Sequence, residues 1–99
     1  MSDLVGLPGG ENVERGVQDL HAGRITAEAL LVAMAPTRLR ELGIVIDADV
    51  ELPREPELAL YALLGQTHDD PYYRYNALRR ELDSFIAALQ SRRRRLASA

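Results

Sequence analysis

Few residues in this chain are of the types that metal or acid–base chemistry uses. His68-Asp69-Asp70 is the sole histidine–carboxylate cluster. Together with His21 it offers nitrogen and oxygen donors of the kind that bind divalent cations. Consecutive loop residues rarely aim at one ion, however, and Asp70-Pro71 reads as a helix N-cap followed by proline at the first helical position. The expected role of the cluster is therefore structural, with no metal site. The chain has no cysteine, and its twelve basic residues are all arginine. Disulfides, thiolate sites, cysteine nucleophiles and Schiff-base lysines are thereby excluded. No nucleophile stands beside a base at a recognisable spacing, and Gly9-Gly10 is too short for a phosphate loop and lacks its lysine. No cofactor is expected, and no catalytic residue is assigned.

Arg15 and His21 are separated by five residues. That spacing resembles the arginine–histidine pair of the HEPN ribonucleases, small all-helical domains in which the two residues act on an RNA phosphate. The resemblance covers these two residues and the helical class. Where that family usually has a polar residue after the arginine, this chain has Gly16. The resemblance implies a ribonuclease-like alternative function. Six positions along a helix is about 600° of rotation, which leaves the two side chains about 120° apart.

Charge is the more informative feature. The net charge of −3 divides into thirteen acidic groups and five arginines in residues 1–70, or −8, and two acidic groups and seven arginines in residues 71–99, or +5. One reading is internal: the basic segment packs on the acidic body, with Arg92, Arg93, Arg94 and Arg95 well placed at a helix C-terminus. A second is assembly, the arginine run reaching an acidic surface on a second copy. A third is nucleic acid. Four arginines neutralise at most about four phosphates, a salt slope near −3.6 on duplex DNA. The candidate stacking residues Tyr72, Tyr73 and Tyr75 lie about 30 Å from the arginines along the same helix. Tyr73 and Arg74 form an exposed pair with the composition of an interface centre, or else a rim packing on residues 44–53.

The elements that must position these residues are legible from periodicity and punctuation. Glycines and Pro8 break residues 1–10, which are expected as a flexible arm. Val13, Val17 and Leu20 mark a first helix ending at Gly23, with Gly16 inside it at a cost of about 1 kcal/mol unless a neighbour needs the space. Thr26 is the expected cap of a second helix, stapled by Ile25 on Leu30, with Ala27, Leu30, Leu31 and Met34 facing inward. Pro36 divides it from a short third helix that Gly43 ends. Residues 44–53 read as an extended acidic connector, or less readily a hairpin. Leu58, Tyr61, Ala62 and Leu64 or Gly65 mark a fourth helix. From Asp70 onward Tyr75, Leu78, Leu82, Phe85 and Leu89 repeat at three and four residues, a long amphipathic helix that Arg92 and Leu96 continue.

The expected fold is all-α: a small four- to five-helix array around the long C-terminal helix, with residues 11–91 as one domain and 92–99 as an arginine-rich extension. Met1-Ser2-Asp3-Leu4 lacks the features of a secretory signal, and no apolar run approaches the roughly 20 residues of a membrane span. A cytoplasmic, non-enzymatic interaction or regulatory module is expected, self-associating through its C-terminal helix or binding another protein. Weak nucleic-acid association through the arginine run is the alternative to set beside the ribonuclease.

Overall fold

Three of the five helices begin at proline, whose missing N–H and fixed φ suit the first helical position. The computed structural model describes residues 6–98. It comprises α1 (Gly10–His21), α2 (Ala27–Ala33), α3 (Pro36–Glu41), α4 (Pro56–Gly65) and α5 (Pro71–Ser98), with no strand among the described residues. The all-α expectation holds. Thr26 caps α2, its Oγ1 accepting from the Ala29 amide at 3.2 Å. Asp70 caps α5 through Oδ1, which accepts from the Tyr73 amide at 3.1 Å. Glu55, just before Pro56, adopts φ 47° and ψ 56°, a left-handed conformation that costs a non-glycine residue about 1–2 kcal/mol. That bend turns the connector sharply into α4.

The core is organised around α2. Ala29, Leu30, Leu31, Val32 and Ala33 are all buried, so the helix is enclosed on every side and not along one face. It packs against α1, α3, α4 and α5. Five consecutive buried residues cover the whole circumference of a helix, Glu28 in the first turn being its one charged residue, and each fully buried leucine or valine stabilises by about 1.5–3 kcal/mol. Val13 and Leu20 cover α2 from α1, and Leu60 and Leu64 from α4. Leu78, Leu82, Phe85, Ile86 and Leu89 of α5 complete the core, so the repeat along that helix is consumed within its own molecule.

The α1–α2 crossing depends on Gly16. A Cβ there would overlap the Glu28 carbonyl oxygen and the Val32 side chain of α2. The mid-helix glycine is thus the close-approach site its position suggests, and α2 is the helix that comes near.

Other segments differ from expectation. Of the expected arm 1–10, residues 1–5 lie outside the described residues. Leu7 packs partly buried on the core, and the Gly10 amide bonds to the Leu7 carbonyl at 3.0 Å. Ile25 does not close a staple on Leu30; it stays 55% exposed. The connector forms no strand, so it is not a hairpin. Ile44 and Ile46 point inward and Val45 outward, and a turn joins the Val50 amide to the Asp47 carbonyl at 3.2 Å.

α4 leaves one of its faces exposed. Leu58 is 66% exposed and Tyr61 41% exposed, with Ala62 and Gly65 also at the surface. Leu60 and Leu64 carry the burial instead. Nine of the ten residues from Pro56 to Gly65 are uncharged, so the helix offers two apolar faces, and α2 and α5 take the other one.

Gly16→Ala should lower the unfolding free energy by about 1–3 kcal/mol, the usual cost of overpacking. It should do so even though alanine gains about 1 kcal/mol of helix propensity over glycine. Urea unfolding measures it, and an unchanged or raised midpoint would contradict the close crossing.

Candidate interaction surface

The residues singled out for interaction occupy two ends of α5. Tyr73 and Arg74 are exposed in its first turn, their amides bonded to the Asp70 side chain and carbonyl. Arg92 to Arg95 lie some eighteen residues on, about 27 Å away at the helical rise. The structure does not bring the two groups together. Nor are the four arginines equivalent. Arg93 donates from Nε to the Leu42 carbonyl at 3.2 Å, satisfying an acceptor at the end of α3. Arg38 reaches Gln90 from the same side at 3.4 Å. Arg92 and Arg93 are half-buried, whereas Arg94, Arg95, Leu96 and Ala97 are exposed.

The molecule measures 46 × 30 × 23 Å, and twenty-eight residues of α5 span about 42 Å, so the helix runs nearly its full length. Hydrogen bonds from α3 and its C-terminal cap reach α5 as far as Arg93, and Arg94 to Ala97 beyond it are exposed.

The residues with catalytic potential are held in structural contacts. His21 Nε2 accepts the Asp47 amide at 3.2 Å, and Arg40 donates from Nε to the Ile46 carbonyl at 3.0 Å. Between them they hold the connector so that Ile44 and Ile46 reach the core. Arg15 is exposed on α1, and its positive charge acts on Asp19. His68, Asp69 and Asp70 are all exposed in the α4–α5 turn. Among the described residues, no group of three or more histidine, aspartate or glutamate side chains is placed to hold a metal ion.

Asp19 is the one buried charged residue among those described, 4% exposed. The Thr26 hydroxyl donates to Oδ2 at 2.6 Å. Arg24 donates to Oδ1 from Nε and Nη2 at 3.1 and 3.0 Å. The Thr26 hydrogen bond, with the Arg24 guanidinium and the more distant Arg15 charge, holds the carboxyl below its ordinary value of 3.8 against the opposing effect of burial. A carboxylate so fully engaged is a clamp and not a base. It ties the last turn of α1 to the cap of α2, because Thr26 donates to Asp19 while accepting from Ala29.

Two of the clefts formed by the described residues are sizeable. One, of about 470 Å³, lies between residues 6–10 and α5, with Glu11, Glu14 and Glu81 as its titratable groups. The other, of about 440 Å³, runs between the α1–α2 turn and the connector, over Leu20, Ile25, Leu52 and Pro53. Neither holds a histidine or a nucleophile beside a base, and neither is lined by Arg15 or His21.

The surface that sequence reasoning missed is the outer face of α4. Leu58, Tyr61, Ala62 and Gly65 are spaced at i, i+3, i+4 and i+7, which aligns them on one side. Tyr61 meets the ring of Tyr75 edge-on, centroids 5.9 Å apart and planes 67° from parallel. That contact lays α4 along the first turns of α5, where Tyr72 is exposed. The available signal was the near-absence of charge in α4, which shows two apolar faces without saying which is covered. No helix among the described residues is long and apolar enough to cross a membrane.

A depressed carboxyl contributes stability that is present above its ordinary value and lost as pH falls through the folded one. Asp19→Asn should therefore be less stable than the parent near neutral pH, with the gap closing below pH 3.8. Paired urea titrations at about pH 7 and about pH 3 test this; a gap of constant size would contradict the clamp. Compared with known proteins, the chain matches no family model, no curated protein and no solved structure.

Proposed function

We propose that this chain is a non-enzymatic protein-interaction module that self-associates. The observation that carries the reading is the uncovered apolar side of α4: Leu58, Tyr61 and Ala62, extended by Tyr72 on α5. An apolar patch with a polar surround marks an interaction surface in soluble proteins, and tyrosine is among the residues that most often dominate binding energy. The reading gains further support from what the candidate catalytic groups do, since His21, Asp19 and Asp70 each serve a structural bond. The repeat of Tyr75, Leu78, Leu82, Phe85 and Leu89 is packed inside, so association uses other surfaces than the seam of α5. Nucleic acid is the weaker alternative. Arg93 is committed to α3, and seven exposed carboxylates between Asp47 and Asp70 oppose a phosphate backbone.

Light scattering after size exclusion should give the mass of a dimer at about 50 µM chain, where a micromolar Kd leaves most of it paired. Leu58→Ser, at a position exposed in the single chain, should weaken the dimer at least about tenfold, or 1.4 kcal/mol. A parent that remains monomeric at that concentration would overturn the reading.

A further inference from the structure

Resting on that self-association, we infer how two copies meet: α4 of one lies antiparallel against α4 of the other, each Leu58 entering the space over the partner's Gly65. The outer face of α4 is built in two unequal halves. Its N-terminal half carries the large side chains, Leu58 and Tyr61, both exposed. Its C-terminal half carries Ala62 and Gly65, also exposed. A Cβ at Gly65 would meet nothing within 4 Å, and Gly65 is not among the residues with positive φ. Neither a close approach among the described residues nor a left-handed backbone therefore calls for glycine there. It leaves a shallow notch beside the ridge of Leu58 and Tyr61, and a leucine fills such a notch.

The two-fold closes on these four residues. In an antiparallel pair whose axis passes between Tyr61 and Ala62, position 58 lies opposite 65 of the other copy, and 61 opposite 62. At about 100° per residue, Leu58 and Gly65 stand about 10° to either side of the direction in which that axis leaves the helix. Tyr61 and Ala62 stand about 50° to either side of it, whereas the buried Leu60 and Leu64 lie more than about 100° away. The axis thus emerges through the centre of the exposed face. Large meets small in both directions, and such a contact stops at two copies. A second copy supplies both the ridge that the notch accepts and the notch that the ridge needs, which selects it as the occupant.

Charge agrees with the antiparallel sense. Glu57 is the one charged residue of α4. A parallel pair would stand the two Glu57 carboxylates together. In the antiparallel pair each comes beside the uncharged Gln66, and the two carboxylates are separated by about 13.5 Å of helical rise, beyond the roughly 8 Å screening length. The positive N-terminal end of each helix dipole also lies beside the negative C-terminal end of the other. One face of a ten-residue helix from each copy buries less than about 1,200 Å² in total, the range of weak, reversible contacts. That size agrees with the micromolar Kd of the self-association.

Exchanging the sizes of the paired residues in the full chain tests the arrangement. Gly65→Leu sets leucine against leucine, and Leu58→Ala leaves the notch empty. The double form, Leu58→Ala with Gly65→Leu, again places a large residue opposite a small one, with the positions reversed. Both positions are exposed in the single chain, and circular dichroism checks that every form keeps its helices. Sedimentation equilibrium should show each single form associating at least about tenfold more weakly than the parent, and the double form within about threefold of it, because contacting residues couple. A dimeric parent whose Gly65→Leu form pairs as tightly as it does would overturn this arrangement and leave self-association standing. Weakened single forms with no recovery in the double form would do the same. A monomeric parent would remove self-association itself, and this arrangement with it.

Discussion

The rest of the structure depends on the enclosure of α2 from Ala29 to Ala33. Seven residues are too few to form a stable helix alone, so its stability comes from the helices around it. Those helices can come close only where the sequence leaves room. Gly16 supplies that room on α1, and the Asp19–Thr26–Arg24 clamp fixes the angle at which α1 and α2 leave their shared turn. With α1 seated, α4 and α5 close the remaining sides, and the connector is drawn over the top by His21 and Arg40. The long helix is therefore a wall of the core, and the short one is its centre.

That arrangement determines which surfaces remain for function. The apolar repeat of α5 is spent on its own core as far as Leu89, and α3 holds the helix as far as Arg93. What remains is the outer face of α4, where Leu58 and Tyr61 stay exposed, and Leu96 near the end of α5.

The helix boundaries could be read from particular residues, because each terminus has a local chemical cause. Thr26 and Asp70 cap by short-range hydrogen bonds, Pro36 and Pro71 suit only a first turn, and Gly23 and Gly43 take up the positive φ that ends a helix. The length of α5 was equally plain, since no proline or glycine interrupts it. Choice of face was legible only where polar residues opposed apolar ones. Val13 and Leu20 on α1 and Leu78 to Leu89 on α5 satisfied that condition. In α2 and α4 one glutamate each, Glu28 and Glu57, made no polar face to push outward, so burial was decided by neighbours: all sides of α2 from Ala29 to Ala33, and the Leu60–Leu64 side of α4. Long-range bonds such as Arg93 to Leu42, fifty-one residues apart, leave no trace in local pattern. For that reason the arginine run read as four equivalent charges.

The central claim is that α2, though the second-shortest helix, is the most enclosed part of the molecule. Native-state hydrogen exchange measures it residue by residue. The amides of Leu30 to Ala33 should exchange only through global unfolding, at the slowest rates in the chain, while those of Arg95 to Ala97 exchange through local fraying. Amides of α2 that exchange as readily as those at the end of α5 would contradict the account.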